Sequence, residues 1–181
     1  MLTQHDLISR RYCEWQRRMH ADARPYGNRG EQWAPTVADV ARRYGASSIL
    51  DYGAGHGRLS SVLRESGFVC RDYDPAVQAF AGRPAFADLV TCTDVMEHVE
   101  PDRLEAVFTH IRQLARKAAF FVIATRPANK RLPNGGNAHL IIEPASWWHD
   151  RVVAAGFTVQ DGPTVWPEKR PSACWVGVVT P

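Results

Sequence analysis

The sequence predicts an α/β fold with a mostly parallel sheet, and three observations lead there. From Ser48 onward, short apolar runs alternate with segments of helical periodicity. A glycine-rich turn, Gly53-Ala54-Gly55-His56-Gly57, joins the first run to the helix after it. The last two runs, near 157–161 and 173–179, are separated by a Pro-rich stretch too short for a crossover helix, which predicts an antiparallel C-terminal hairpin at one edge.

Two N-terminal helices are expected over 2–20 and 32–44, joined by a turn-rich stretch at 24–30. In the second, Trp33, Val37, Val40, Ala41 and Tyr44 recur at helical spacing, Pro35 fits the first turn and Gly45 stops it. Ser48-Ile49-Leu50-Asp51-Tyr52 reads as a buried strand, and 57–66 as a helix with Leu59, Val62 and Leu63 on one face. Strands follow at 68–74 and 88–93. Pro101 opens a helix over 101–115 whose stripe is Leu104, Val107, Phe108, Ile111 and Leu114. An apolar strand at 118–125 and a helix at 144–155 precede the hairpin.

At 181 residues the chain suits one domain, with an N-terminal helical part at 1–45 and an α/β core at 46–181. The net charge of +3 is too small to argue for nucleic acid, and no long basic face points to a large RNA. No apolar run approaches the roughly 20 residues of a membrane span. The first residues lack the apolar core of a signal peptide. Four scattered cysteines, Cys13, Cys70, Cys92 and Cys174, form no C-x-x-C pair. They predict free thiols and a cytoplasmic protein.

The glycine turn lets the main chain approach a ligand closely beyond the strand ends. Asp74 closes the second strand 21 residues after Gly53, where an acid can accept hydrogen bonds from ribose hydroxyls. Arg58 occupies the third glycine position of the dinucleotide fingerprint, which disfavours an oxidoreductase. Further on, Asp94-Val95-Met96-Glu97-His98 would place Asp94, Glu97 and His98 on one face if helical. Two carboxylates and an imidazole suit a divalent ion.

These motifs together resemble the class I S-adenosylmethionine-dependent methyltransferases over about 47–160. Asp51-Tyr52-Gly53-Ala54-Gly55-His56-Gly57 resembles their motif I. Tyr73-Asp74-Pro75, Asp88-Leu89-Val90, Asp94-Val95-Met96-Glu97-His98-Val99 and the stretch from Trp147 to Gly156-Phe157 follow in the family's order. The resemblance implies a Rossmann-like fold, with the N-terminal helices covering the site through Tyr12, Trp15, Arg17, Arg18 and Arg29. It implies that Asp51, Gly53 and Gly55 hold the methionine part of the cofactor, Asp74 its ribose, and that Ala54, Tyr73 and Thr93 stand beside them. Only 14 positions separate Asp74 from Asp88, so the family's third strand is reduced or absent. Phe80 and Phe86 are then the candidates to frame the adenine, or else pack in the core.

The acid-x-x-Glu-His pattern is similar to that of metal-dependent O-methyltransferases of ubiquinone biosynthesis and of small-RNA 3′-end methylation. The latter resemblance adds His139 as a ligand, giving Asp94, Glu97, His98 and His139 for Mg, Mn or Fe. Many relatives carry Glu-His here without metal, and His98 or His139 would then serve as a base. The loop 126–139 carries Arg126, Asn129, Lys130 and a Gly135-Gly136 pair, which predicts either a lid over an acidic substrate or a merely solvated loop. Trp147 is the candidate to stack on a sugar or base. His5, His20 and His110 read as surface or helix residues. The expected function is methyl transfer from S-adenosylmethionine to a hydroxyl of a small molecule or glycan, such as an acidic sugar, assisted by a divalent ion. The rivals are a metal-free O- or N-methyltransferase and a nucleotide-binding module without catalysis.

Overall fold

The computed structural model describes residues 2–21, 30–168 and 173–181. Residues 24–29 of the turn expected at 24–30, Arg29 included, lie outside them. The helices are α1 (Gln4–Leu7), α2 (Arg10–Ala21), α3 (Ala34–Arg43), α4 (Arg58–Glu65), α5 (Leu104–Leu114) and α6 (Ala145–Ala154). The strands are β1 (Ser48–Tyr52), β2 (Val69–Tyr73), β3 (Ala87–Thr93), β4 (Ala115–Ala124), β5 (Thr158–Val159) and β6 (Cys174–Thr180). They form one sheet in the order β2-β1-β3-β4-β6-β5. The first four are parallel, β6 is antiparallel to β4, and β5 is antiparallel to β6 at the edge.

Period-two alternation divides the core into two layers. Leu50, Val90, Cys92, Phe121 and Ile123 face α5 and α6, where they meet the Leu104–Leu114 stripe and Trp148. Ile49, Leu89, Phe120 and Val122 face α3 and α4, meeting Val37, Val40, Leu59 and Leu63. β4 is buried on both faces, which explains its continuous apolar run. Replacing Phe120 or Phe121 by Ala would cost roughly 3–5 kcal/mol.

A third, smaller cluster sits above the sheet. Ile8, Tyr12, Cys13 and Met19 of the N-terminal segment pack there against Ala76, Leu132 and Ala138. The expected single helix over 2–20 is two, because Ile8 is extended (φ −152°, ψ 133°). The Ser9 amide donates to Glu100 Oε2 at 2.8 Å, and Ser9 Oγ accepts the Tyr12 amide at 3.1 Å, capping α2.

Between β2 and β3 there is only a 3-10 turn at Gln78–Phe80 and no strand, so β2 ends the sheet. β4 begins at Ala115, directly after α5, three residues earlier than expected. Its charged start is tied down by Lys117 Nζ, 3.4 Å from Asp88 Oδ2. Among the described residues no helix is long and apolar enough to cross a membrane.

Candidate functional site

The chain leaves β1 for β2 on one side and returns to β3 on the other, so a crevice opens beyond their carboxyl ends. A cavity of about 660 Å³ lies there. Asp51, Gly53, Ala54, Gly55, Asp74 and Thr93 line its floor. Arg126, Asn129, Lys130 and His139 line it from the loop after β4. The N-terminal helix α2 roofs it with Tyr12, Gln16 and His20.

Backbone geometry builds the floor. The Gly53 and Ala54 amides donate to the Tyr73 carbonyl at 2.7 and 3.1 Å, which folds the turn over the end of β2. Gly53 has φ +76°, and a Cβ there would lie 2.4 Å from Cγ2 of Val95. Asp74 is buried, its Oδ2 accepting the Gly55 amide at 3.0 Å and its Oδ1 the Ala76 amide at 2.9 Å. Each oxygen keeps a second lone pair for a ligand. Asp51 is buried beside it and accepts from Thr91 Oγ1 at 3.2 Å. Burial, with repulsion from Asp72, pushes its carboxyl up to about 7, so a cationic group in the cavity would be welcome there.

At the opposite corner Glu97, His98 and His139 bring one ligand atom each to within 4.8 Å of one another. His98 Nδ1 lies 2.7 Å from the Ala138 carbonyl and His139 Nδ1 lies 2.6 Å from the Arg126 carbonyl. A carbonyl only accepts, so both Nδ1 atoms carry the proton and both Nε2 atoms carry the lone pair, the arrangement typical of metal-binding histidines. Glu97 is wholly buried. Its Oε1 accepts the Ala124 amide at 3.1 Å, while its Oε2 has no hydrogen-bond partner. Burial, then Asp94, pushes its carboxyl up to about 8. A buried carboxyl with one oxygen unpaired, grouped with two imidazoles, is costly when ionised and fits a cation. Burial lowers His98 to about 4, which suits a neutral ligand better than a base.

Several expected residues stand elsewhere. The 94–98 stretch is not α-helical. Asp94 sits at φ +55° and donates its amide to the Val122 carbonyl at 2.9 Å, so only Met96–His98 form one 3-10 turn. Asp94 therefore lines the cavity but is outside the three-residue ligand group. Glu97 stands behind the cavity wall rather than in it. Tyr73 acts through its carbonyl, while its ring packs on Tyr52 with centroids 5.0 Å apart. Trp147 is outside the cavity lining, with the Arg151 guanidinium 5.2 Å over its ring, and Trp148 is the core member of the pair. Phe86 is 59% exposed and Phe80 packs beside Gly57, so neither is core or cavity. Trp15 packs edge-on to Tyr12, and neither it nor Arg17 nor Arg18 reaches the cavity.

The loop 126–139 is a built hairpin. Arg131 and Asn137 bridge, and the Leu132 amide donates to the Gly136 carbonyl at 2.8 Å. Asn137 Oδ1 accepts the Ala128 and His139 amides, both at 2.9 Å, which sets His139 beside His98. Sequence reasoning missed this clamp. It also missed His20 and Gln16, although Tyr12, Gln16 and His20 recur every four residues and so share one face of α2. His110 lies on α5, in keeping with the helix reading, and is half-buried with its Nδ1 2.9 Å from the Tyr52 hydroxyl.

A family model described as a methyltransferase domain matches residues 9–163. No curated protein matches the chain. Its fold is similar to an O-methyltransferase family protein from Burkholderia thailandensis, at 15% identity and TM-score 0.59. That match covers 83% of this chain, which spans only 55% of that protein. A second similar fold is the 1,6-didemethyltoxoflavin-N1-methyltransferase of Burkholderia thailandensis, whose structure holds 1,6-didemethyltoxoflavin and S-adenosylhomocysteine. It is 19% identical, with TM-score 0.66, covering 99% of this chain and 90% of that one. A third is the methyltransferase domain of bacterial CtHen1, 18% identical, with TM-score 0.56, covering 83% of this chain and 98% of that one.

Proposed function

The chain belongs to the methyltransferase-domain family, and on that premise we propose that it transfers the methyl of S-adenosylmethionine to a hydroxyl oxygen of a small molecule or saccharide. A divalent ion held by Glu97, His98 and His139 assists. One observation carries this reading: a single cavity joins the Asp74 subsite to the corner where the two histidines meet.

S-adenosylmethionine, when bound, supplies the electrophilic methyl. The remaining lone pairs of Asp74 suit a ribose diol, and the buried Asp51 suits the cationic end of the cofactor. Gly53, Ala54 and Gly55 leave the main chain bare for close approach. The cofactor product found in the toxoflavin enzyme supports this use of the shared fold.

A bound ion would polarise the acceptor hydroxyl and lower its pKa. Without Asp94 the donor set is two nitrogens and one carboxylate, which leans from Mg toward Mn or Fe. Arg126, Asn129 and Lys130 border the acceptor side and suit a carboxylate or phosphate on the substrate, such as that of an acidic sugar. Most of the rate enhancement then comes from holding acceptor oxygen and methyl in line.

The rival reading dispenses with metal and takes His139 as general base, since its ring is fixed by the Arg126 carbonyl and reaches the cavity. Transfer of labelled methyl to a panel of sugars, catechols and nucleotides, with Mn, Fe(II) or excess EDTA, separates the two. Cofactor-product binding with no transfer to any acceptor would favour a nucleotide-binding module instead.

A further inference from the structure

The roof brings a histidine to the ribose acid. His20 Nε2 lies 4.0 Å from Asp74 Oδ2, with both side chains largely shielded from solvent. That is beyond a direct hydrogen bond. It is the separation left when one hydroxyl oxygen sits at about 2.8 Å from each group, accepting from one and donating to the other at roughly a right angle. The His20 ring is braced edge-on by His56 of the glycine turn, centroids 5.5 Å apart. Its helix is pinned at the other end through Ser9 and Glu100. Asp74 cannot shift to close the gap, because the Gly55 and Ala76 amides hold both its oxygens.

We infer that His20 is a cofactor-binding residue: with Asp74 it brackets one ribose hydroxyl, donating from Nε2 while Asp74 accepts that hydroxyl's proton. This rests on the cofactor reading above and goes beyond it, since it makes α2 part of the binding site rather than a passive cover. Burial lowers the His20 pKa, so near neutral pH the ring meets the hydroxyl uncharged. Gln16 and Tyr12, one and two turns earlier on the same face, line the cavity beside it.

The test is calorimetry with S-adenosylhomocysteine and its 2′-deoxy and 3′-deoxy analogues on wild type, His20→Ala and His20→Gln. The expected result is that His20→Ala weakens the parent ligand roughly tenfold, the scale of one hydrogen bond. The same variant binds one of the deoxy analogues as wild type does, and His20→Gln recovers part of the loss by restoring a donor. The inference is overturned if His20→Ala binds the parent ligand normally, or if it weakens all three ligands equally, which marks a roof merely loosened. Wild type failing to bind S-adenosylhomocysteine at all would instead defeat the cofactor reading.

Discussion

Val95 occupies the space that a side chain on Gly53 would need: a Cβ there would meet Cγ2 of Val95 at 2.4 Å and Cγ1 at 2.8 Å. The glycine turn after β1 and the bend after β3 are thus packed face to face, and that contact shapes the cavity floor. Gly53→Ala also puts a side chain at φ +76°. The expected cost is about 2–4 kcal/mol, from overpacking and left-handed backbone together. Adding Val95→Ala should recover the steric share and leave the backbone share. Chemical denaturation of the single and double variants measures both, and no recovery would place the clash elsewhere.

Glu97 should be a burden to the metal-free protein. Its carboxyl is raised from 4.5 to about 8 in the folded state. A raised acid binds its proton more tightly when folded, so stability falls as pH rises from about 4.5 through 8. Glu97→Gln removes the charge. The variant should melt a few degrees above the metal-free wild type at pH 8, with the gap closing toward pH 4. Added Mn should raise the melting temperature of wild type and leave the variant unmoved. A variant melting below metal-free wild type at pH 8 would contradict this electrostatic account.

Asp88 should behave in the opposite sense. Its Oδ2 accepts the Ser47 amide at 2.9 Å and the Ser47 hydroxyl at 2.8 Å, with Lys117 nearby. These bonds hold its carboxyl below the usual range. The stability it gives is present above the unfolded value, about 3.9, and is lost as pH falls through the lower folded value. Asp88→Asn should therefore be less stable than wild type at pH 7, by a gap that is smaller at pH 3. Denaturant midpoints at the two pH values check it, and a gap of equal size at both would refute the assignment.

Much of this site was legible because chemistry and periodicity coincided. The Ile49-Leu50 run, the glycines and the acid at Asp74 each need a specific backbone, and the structure supplies it. The missing third strand could be read from chain length alone, since Asp74 and Asp88 are too close in sequence for a helix and a strand between them. What was illegible depended on distant partners. Nothing local shows that the Val122 carbonyl draws the Asp94 amide into a left-handed bend, which decides against a helix there. Ile8 is extended because Glu100, far along the chain, takes the Ser9 amide. Trp147 and Trp148 are adjacent in sequence, and only the packing of α6 decides which one is core. His20 could be read only as a surface or helix residue, because its partners, Asp74 and His56, come from other segments.

On the proposed reading, the Glu97, His98 and His139 corner holds an ion that assists methyl transfer in the same cavity. The most direct measurement is transfer of labelled methyl from S-adenosylmethionine to the hydroxyl-bearing panel, before and after excess EDTA and after adding back Mn. Transfer should fall at least tenfold with the chelator and return with the ion. Transfer undiminished by EDTA would contradict it.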